Sequence, residues 1–143
     1  MVPDHDVAVT CWAAVVTRCG QVGDVLPGWD DLPCWHRQTV VAMVRAYRMG
    51  ASPREAAAQW AVDAASFGGW RTGPWNLDGD PPTHPWIVPW AQLPAHGRSV
   101  FRLVQHMTVA LSVTLDDAIP EPRMVALERP PGGVTRPVAS WAP

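Results

Sequence analysis

Five of the nine tryptophans, Trp60, Trp70, Trp75, Trp86 and Trp90, fall within 31 residues of one another. Between them stand glycines, prolines, Arg71, Thr72, His84 and Asn76, the only asparagine in the chain. A helical core of this size absorbs a few indoles, but five on a loop-rich stretch overfill it. Some are therefore expected to line a concave surface, and the others to rivet the loop onto the helices. Indole faces stack on flat heterocycles for about 1–3 kcal/mol per base, and backbone amides near glycine or at a helix N-terminus receive phosphate. An aromatic wall, one amide side chain and a few arginines compose a nucleotide pocket without catalytic machinery.

Signals for chemistry are weaker. The chain has no GxSxG, HExxH, CxxC or Walker-type motif. The only close pairing of a nucleophile with a base, Cys34 with His36, places the two on different sides of a helix start. The five histidines, His5, His36, His84, His96 and His106, are scattered. Cys11, Cys19 and Cys34 make an odd number without zinc spacing and read as reduced thiols used as small core hydrophobes. The expectation is a protein that is not an enzyme, with no metal and no cofactor.

Composition narrows the partners. A chain of 143 residues supports one domain with a real core. All eleven basic residues are arginine and sixteen residues are proline, an excess that is in part the codon bias of a GC-rich genome. A formal charge of −2 with 17% charged residues and no basic run argues against a nucleic-acid partner, which needs a concentrated cationic face. No apolar stretch approaches the roughly 18–20 residues that span a bilayer. The opening MVPDHDVAV carries acids where a signal peptide needs positive charge, so a cytoplasmic location is expected, that of the host if the gene is a phage's.

Helical periodicity frames the aromatic stretch. Ala8, Cys11, Trp12, Val15, Val16 and Cys19 predict a helix over 4–19, with Asp4 or Asp6 as N-cap. Gly23 to Pro33 reads as a loop, and a second helix runs to about Met49 with Val40, Met43, Val44 and Tyr47 inward. Ser52, Pro53 and Glu55 combine an N-cap, a first-turn proline and a capping box at the start of a third helix. That helix carries Ala56, Trp60 and Phe67 inward and ends at Gly68-Gly69. The prolines between Trp70 and Trp90 forbid a helix and leave a short β-ribbon, placed at 70–72 and 86–89, around a long loop. Pro94 opens a fourth helix with Val100, Leu103, Val104, Met107 and Leu111 on one face and Arg98, Arg102, Gln105 and Ser112 on the other. The predicted class is mainly α, a compact bundle of about four helices with a short β-ribbon and a long aromatic loop. Residues 1–115 form the domain, and 116–143 an extended or mobile proline-rich tail.

The run GGWRTGPWNLDGDPPTHPWIVPWAQLPAHGRSVFRLVQHMTVAL, 68–111, resembles the repeat of ryanodine receptors and of small stand-alone bacterial and phage proteins, the RyR domain. Gly69-Trp70, Gly73, His84-Pro85, Val88-Pro89, the aromatic Trp90 and Leu93-Pro94 stand at the family's spacing. Trp29, Trp35, Arg37 and the helix holding Trp60 extend the similarity to roughly 8–112. There are departures. Ala57 stands where the family has histidine, Thr72 where it has tyrosine, and NLDGD replaces a lysine-aspartate loop, while Trp75 and Trp86 lie outside the pattern.

The resemblance implies binding rather than chemistry: a nucleotide or nucleotide-derived signal, adenine- or ADP-ribose-like, lodged between helices and aromatic loop. Such a protein serves as a sensor, or as a phage agent that sequesters the ligand against host immunity. On this reading Trp60, Trp70 and Trp90 are pocket walls, Asn76 reads a base edge or ribose, and Arg98 and Arg102 pair with phosphate through their fork geometry. Thr72, Gly73 and His84 complete the site, His84 with its following proline also setting the loop's shape. The competing reading is a protein-interaction or structural accessory protein, possible as a homo-oligomer, that docks through exposed tryptophans and the proline-rich tail with Trp141.

Overall fold

The third helix starts where the capping residues place it. The Ser52 hydroxyl accepts the Glu55 N–H at 3.1 Å while Glu55 Oε1 accepts the Ser52 N–H at 2.8 Å, so two N–H groups at the helix start are satisfied reciprocally. Gly69 ends the helix at φ +67°, a left-handed conformation that glycine adopts without a Cβ clash. The computed structural model describes residues 2–112 of the chain. In it α1 (Asp4–Gly20), α2 (Cys34–Arg48), α3 (Pro53–Gly68) and α4 (Ala95–Ser112) surround one core, so the fold is mainly helical. Two short strands, β1 (Arg71–Thr72) and β2 (Thr83–His84), and two 3-10 turns, Trp29–Asp31 and Trp90–Gln92, complete it. The tail expected at 116–143 lies outside the described residues.

α2 packs against α1, α3 and α4, so its inward stripe is the centre of the helical bundle. Val40, Val44 and Tyr47 of that stripe meet Val7, Cys11 and Val15 of α1 and Val100, Phe101 and Val104 of α4, all buried. The Tyr47 hydroxyl donates to the Phe101 carbonyl at 2.9 Å, and burial pushes its pKa well up. Cys11 Sγ lies 3.9 Å from both Val104 O and Thr108 Oγ1, and burial, with the Asp24 carboxylate adding, pushes the Cys19 thiol up to about 11. These two thiols fill the core as expected, whereas Cys34 is exposed. Polar contacts close the rim of the bundle. Arg48 binds Asp4 (2.5 Å), the Val2 carbonyl (2.5 Å) and Ser112 Oγ (2.8 Å), joining the start of α1 to the ends of α2 and α4.

Three local expectations are corrected. α1 is preceded by Pro3 with no side-chain cap, because the Asp4 carboxylate takes stronger charge-assisted bonds from Arg45 and Arg48. Phe67, expected inward, is 69% exposed. Seven residues beyond Trp60 it has turned about 20° off that residue's line and stands one residue before the end of α3 at Gly68. The ribbon joins 71–72 to 83–84 rather than to 86–89 and is parallel, Arg71 opposite Thr83 and Thr72 opposite His84. Among the described residues no helix is long and apolar enough to cross a membrane.

Replacing the cap, Ser52→Ala, removes one of the two reciprocal bonds and is expected to cost about 1 kcal/mol, read by urea unfolding. A change below about 0.3 kcal/mol would contradict the assigned role of the capping box.

Candidate functional site

The segment after α3 is shaped by a few hydrogen bonds among many prolines that cannot donate. Trp70 N–H reaches Ala64 O (3.0 Å), Arg71 N–H reaches Pro82 O (2.8 Å), and Asn76 and Thr83 exchange backbone bonds at 3.0 and 2.9 Å. The Thr72 hydroxyl donates to Ile87 O and the Thr83 hydroxyl to Pro74 O. Gly73 has its N–H on His84 O, and a Cβ there would lie 3.1 Å from the Thr83 side chain. The loop is thereby folded back on itself, and Trp70, Trp75, His84 and Trp86 converge.

His84 is the hub of this convergence. Its ring stacks on Trp70 (5.4 Å between centroids, 12° between planes) and meets Trp60, Trp75 and Trp86 at 5.1, 4.3 and 5.1 Å. Its Nδ1 accepts the Trp86 backbone N–H at 3.1 Å. His36, on the first turn of α2, makes a second hub. It stacks on Trp35 (4.9 Å, 10°), meets Trp12 and Trp70 edge-on at 5.2 and 5.5 Å, and accepts Trp60 Nε1–H at 3.4 Å through Nε2. Gly68 leaves room for Trp35, since a Cβ there would fall 2.5 Å from its ring. Desolvation depresses the pKa of His36 to about 4; desolvation, with His36 adding, depresses that of His84 to about 3. Both imidazoles are uncharged at neutral pH.

These rings enclose a cavity of about 250 Å³. α1 contributes Trp12 and Val15, the loop before α2 contributes Leu26, Pro27, Leu32 and Pro33, and α2 contributes His36, Val40 and Met43. Trp60 of α3, Trp70, Trp75, Leu77, His84 and Trp86 of the aromatic loop, and Val100, Phe101 and Val104 of α4 close it. No lining side chain carries a charge, and none is a serine, threonine or cysteine. Pro27 and Pro33 are exposed and Leu26, Trp75 and Leu77 half-buried, which marks the side facing solvent. Trp12 Nε1–H donates to Pro27 O at 2.9 Å and pins that rim to α1.

Of the residues expected in the site, Trp60, Trp70 and His84 line the cavity. Thr72, Gly73 and Asn76 do not; they hold the loop by the bonds given above. Trp90, Arg98 and Arg102 do not line it either, and they form a separate cluster. The guanidinium carbons of Arg98 and Arg102 lie 5.6 and 5.5 Å from the Trp90 ring centroid. Arg98 also donates to the carbonyls of Trp90 (3.2 Å) and Ala91 (3.0 Å) and is half-buried rather than on an open face. The 3-10 turn carries Trp90 over the start of α4 and away from the other indoles.

Trp75 and Trp86 are also walls of the cavity. Trp12, His36 and Phe101 were not singled out as site residues from sequence. A signal for His36 existed, because His36, Val40, Met43 and Tyr47 stand at i, i+4, i+7 and i+11 and put a titratable ring on an apolar stripe. None of the eight tryptophans among the described residues is exposed, so the interaction reading finds no exposed indole there. Among the described residues no group of three or more His, Cys, Asp or Glu is placed to hold a metal ion.

No family model, curated protein or solved structure matches the chain.

The neutral histidines give stability a defined pH dependence. Their folded pKa values, about 4 and about 3, lie below the value of about 6.5 in an unfolded chain, so unfolding takes up protons between these limits. Stability is full above about pH 6.5 and is lost as pH falls toward 4, by up to about 1.4 kcal/mol per pH unit for each group. Melting temperatures measured from pH 7.5 to 4.5 should fall steadily, and His36→Gln should flatten the slope. A melting temperature independent of pH across that range would contradict the buried neutral assignment.

Proposed function

We propose that this chain is a non-catalytic small-ligand-binding protein whose aromatic cavity receives the flat ring of a nucleotide-derived molecule, adenine- or ADP-ribose-like, in the manner of an RyR domain. It serves as a sensor or a sequestering protein. The observation that carries the reading is the cavity itself. Protein interiors close around voids much larger than a water molecule, because each unfilled face forfeits dispersion contacts. An opening of about 250 Å³ walled by Trp60, Trp70, Trp75 and Trp86 is what a removable planar ring requires. The RyR-like spacing read in the sequence at 68–111 is the reason for choosing a nucleotide-derived ring.

Binding rather than chemistry is favoured by the lining. A nucleophile needs a neighbouring base and an acid–base catalyst needs a pKa near working pH, whereas the two cavity imidazoles are held far below it.

The test is a thermal-shift panel of adenine, adenosine, AMP, ADP-ribose, cyclic ADP-ribose isomers and cyclic dinucleotides. A ligand at 100 times its Kd adds about 2.7 kcal/mol, a rise of several degrees. Trp75→Ala should abolish the rise while keeping the helical signal, since Trp75 is half-buried. Trp70→Ala is unsuited to this purpose, because Trp70 is 8% exposed and its truncation costs about 3–5 kcal/mol of the fold itself. No shift from any member of the panel would overturn the proposal.

A further inference from the structure

We infer that the cavity selects an uncharged, hydrogen-bond-accepting two-ring heterocycle of the nucleobase type and leaves any phosphate outside. This inference rests on the ligand-binding reading above. Three observations carry it: the charge of the lining, the direction of its hydrogen bonds, and its size.

The lining contains no arginine, aspartate or glutamate. Arg98 is held on two carbonyls, Arg45 and Arg48 are held on Asp4, and Arg18 donates to Ser99 Oγ. A phosphate drawn into an apolar chamber without a cation would lose its hydration and recover little of it. An uncharged ring loses much less.

The hydrogen-bond network fixes which imidazole nitrogens carry protons. His84 accepts the Trp86 N–H at Nδ1, so the neutral ring carries its proton on Nε2. His36 accepts the Trp60 indole at Nε2, so its proton is on Nδ1. Both acceptor nitrogens are thus consumed by the protein, and the remaining nitrogens are donors. The indole N–H groups of Trp70, Trp75 and Trp86 are donors as well. None of these five N–H groups finds an acceptor side chain or carbonyl among the described residues, and none of the five nitrogens is both fully enclosed and unsatisfied. All five belong to residues that line the cavity, and wherever they open to it they favour ring nitrogens and exocyclic oxygens with lone pairs. They disfavour an organic cation, which would meet the same donors, although indole faces alone would attract one.

Size sets the ring count. An apolar cavity of about 150 Å³ accommodates benzene, so about 250 Å³ accommodates two fused rings and has no space for a ribose diphosphate beside them.

The experiment is isothermal titration calorimetry of the full chain at 50 and 300 mM NaCl with purine, indole, adenosine, AMP and tetramethylammonium. Purine and indole match in shape, but purine offers acceptors and indole only a donor. Purine is expected to bind at least tenfold tighter than indole. AMP is expected within threefold of adenosine at both salt concentrations, and tetramethylammonium is expected not to bind. Indole binding as tightly as purine would overturn the inference, as would tetramethylammonium binding more tightly than purine. AMP binding more than tenfold tighter than adenosine, with the advantage lost at 300 mM NaCl, would overturn it while leaving the ligand-binding reading intact. Absence of binding by every probe would sink both.

Discussion

Two imidazoles buried without charge among six indole rings join parts of the chain that are far apart in sequence. His84 binds the aromatic loop to α3 through Trp60 and to itself through Trp70, Trp75 and Trp86. His36 binds α2 to α1 through Trp12, to α3 through the Trp60 indole, and to the loop through Trp70. Edge-to-face pairs of this kind contribute about 0.5–1.5 kcal/mol each beyond the area they bury. Imidazole is suited to the place because one nitrogen can satisfy a buried N–H while the ring still stacks, which phenylalanine cannot do. The cost is that the pair must stay neutral, so the same feature that completes the aromatic layer makes it sensitive to acid.

The helical frame was legible because its signals are local. The Ser52-Pro53-Glu55 cap, Gly69 after α3 and the apolar spacing of Val100 and Val104 depend on neighbours a turn away, and each does in the structure what its spacing predicts. The ribbon was less so. Its pairing depends on which few N–H groups remain among the prolines: Arg71 and Gly73 donate to the carbonyls of Pro82 and His84, whereas the Trp86 N–H is taken by the His84 ring. Phe67 shows the limit of periodicity at a helix end, where a residue on the right stripe has nothing left to pack against.

The site was half legible for a related reason. Placing Trp60, Trp70 and His84 in one wall required only that an overfull aromatic stretch turn inward. Excluding Trp90 required knowing that Pro89 and the following 3-10 turn swing it onto Arg98 and Arg102. Arg98 is held on an indole and two carbonyls and Arg102 lies over the same indole, so neither lends its charge to the cavity wall. Trp12 and His36 escaped notice because a large ring on an apolar helix stripe reads as ordinary core. Only the convergence of four helices and a loop turns those positions into a lining.

On the proposed function, the indoles around His84, and not the one beside Arg98, meet a ligand. The most direct measurement is the ¹⁵N–¹H spectrum of the tryptophan indoles during titration with adenosine. The Nε1–H signals of Trp70, Trp75 and Trp86 are expected to move together and saturate while those of Trp29 and Trp90 stay in place. Movement confined to Trp90, or no movement at saturating adenosine, would contradict that function.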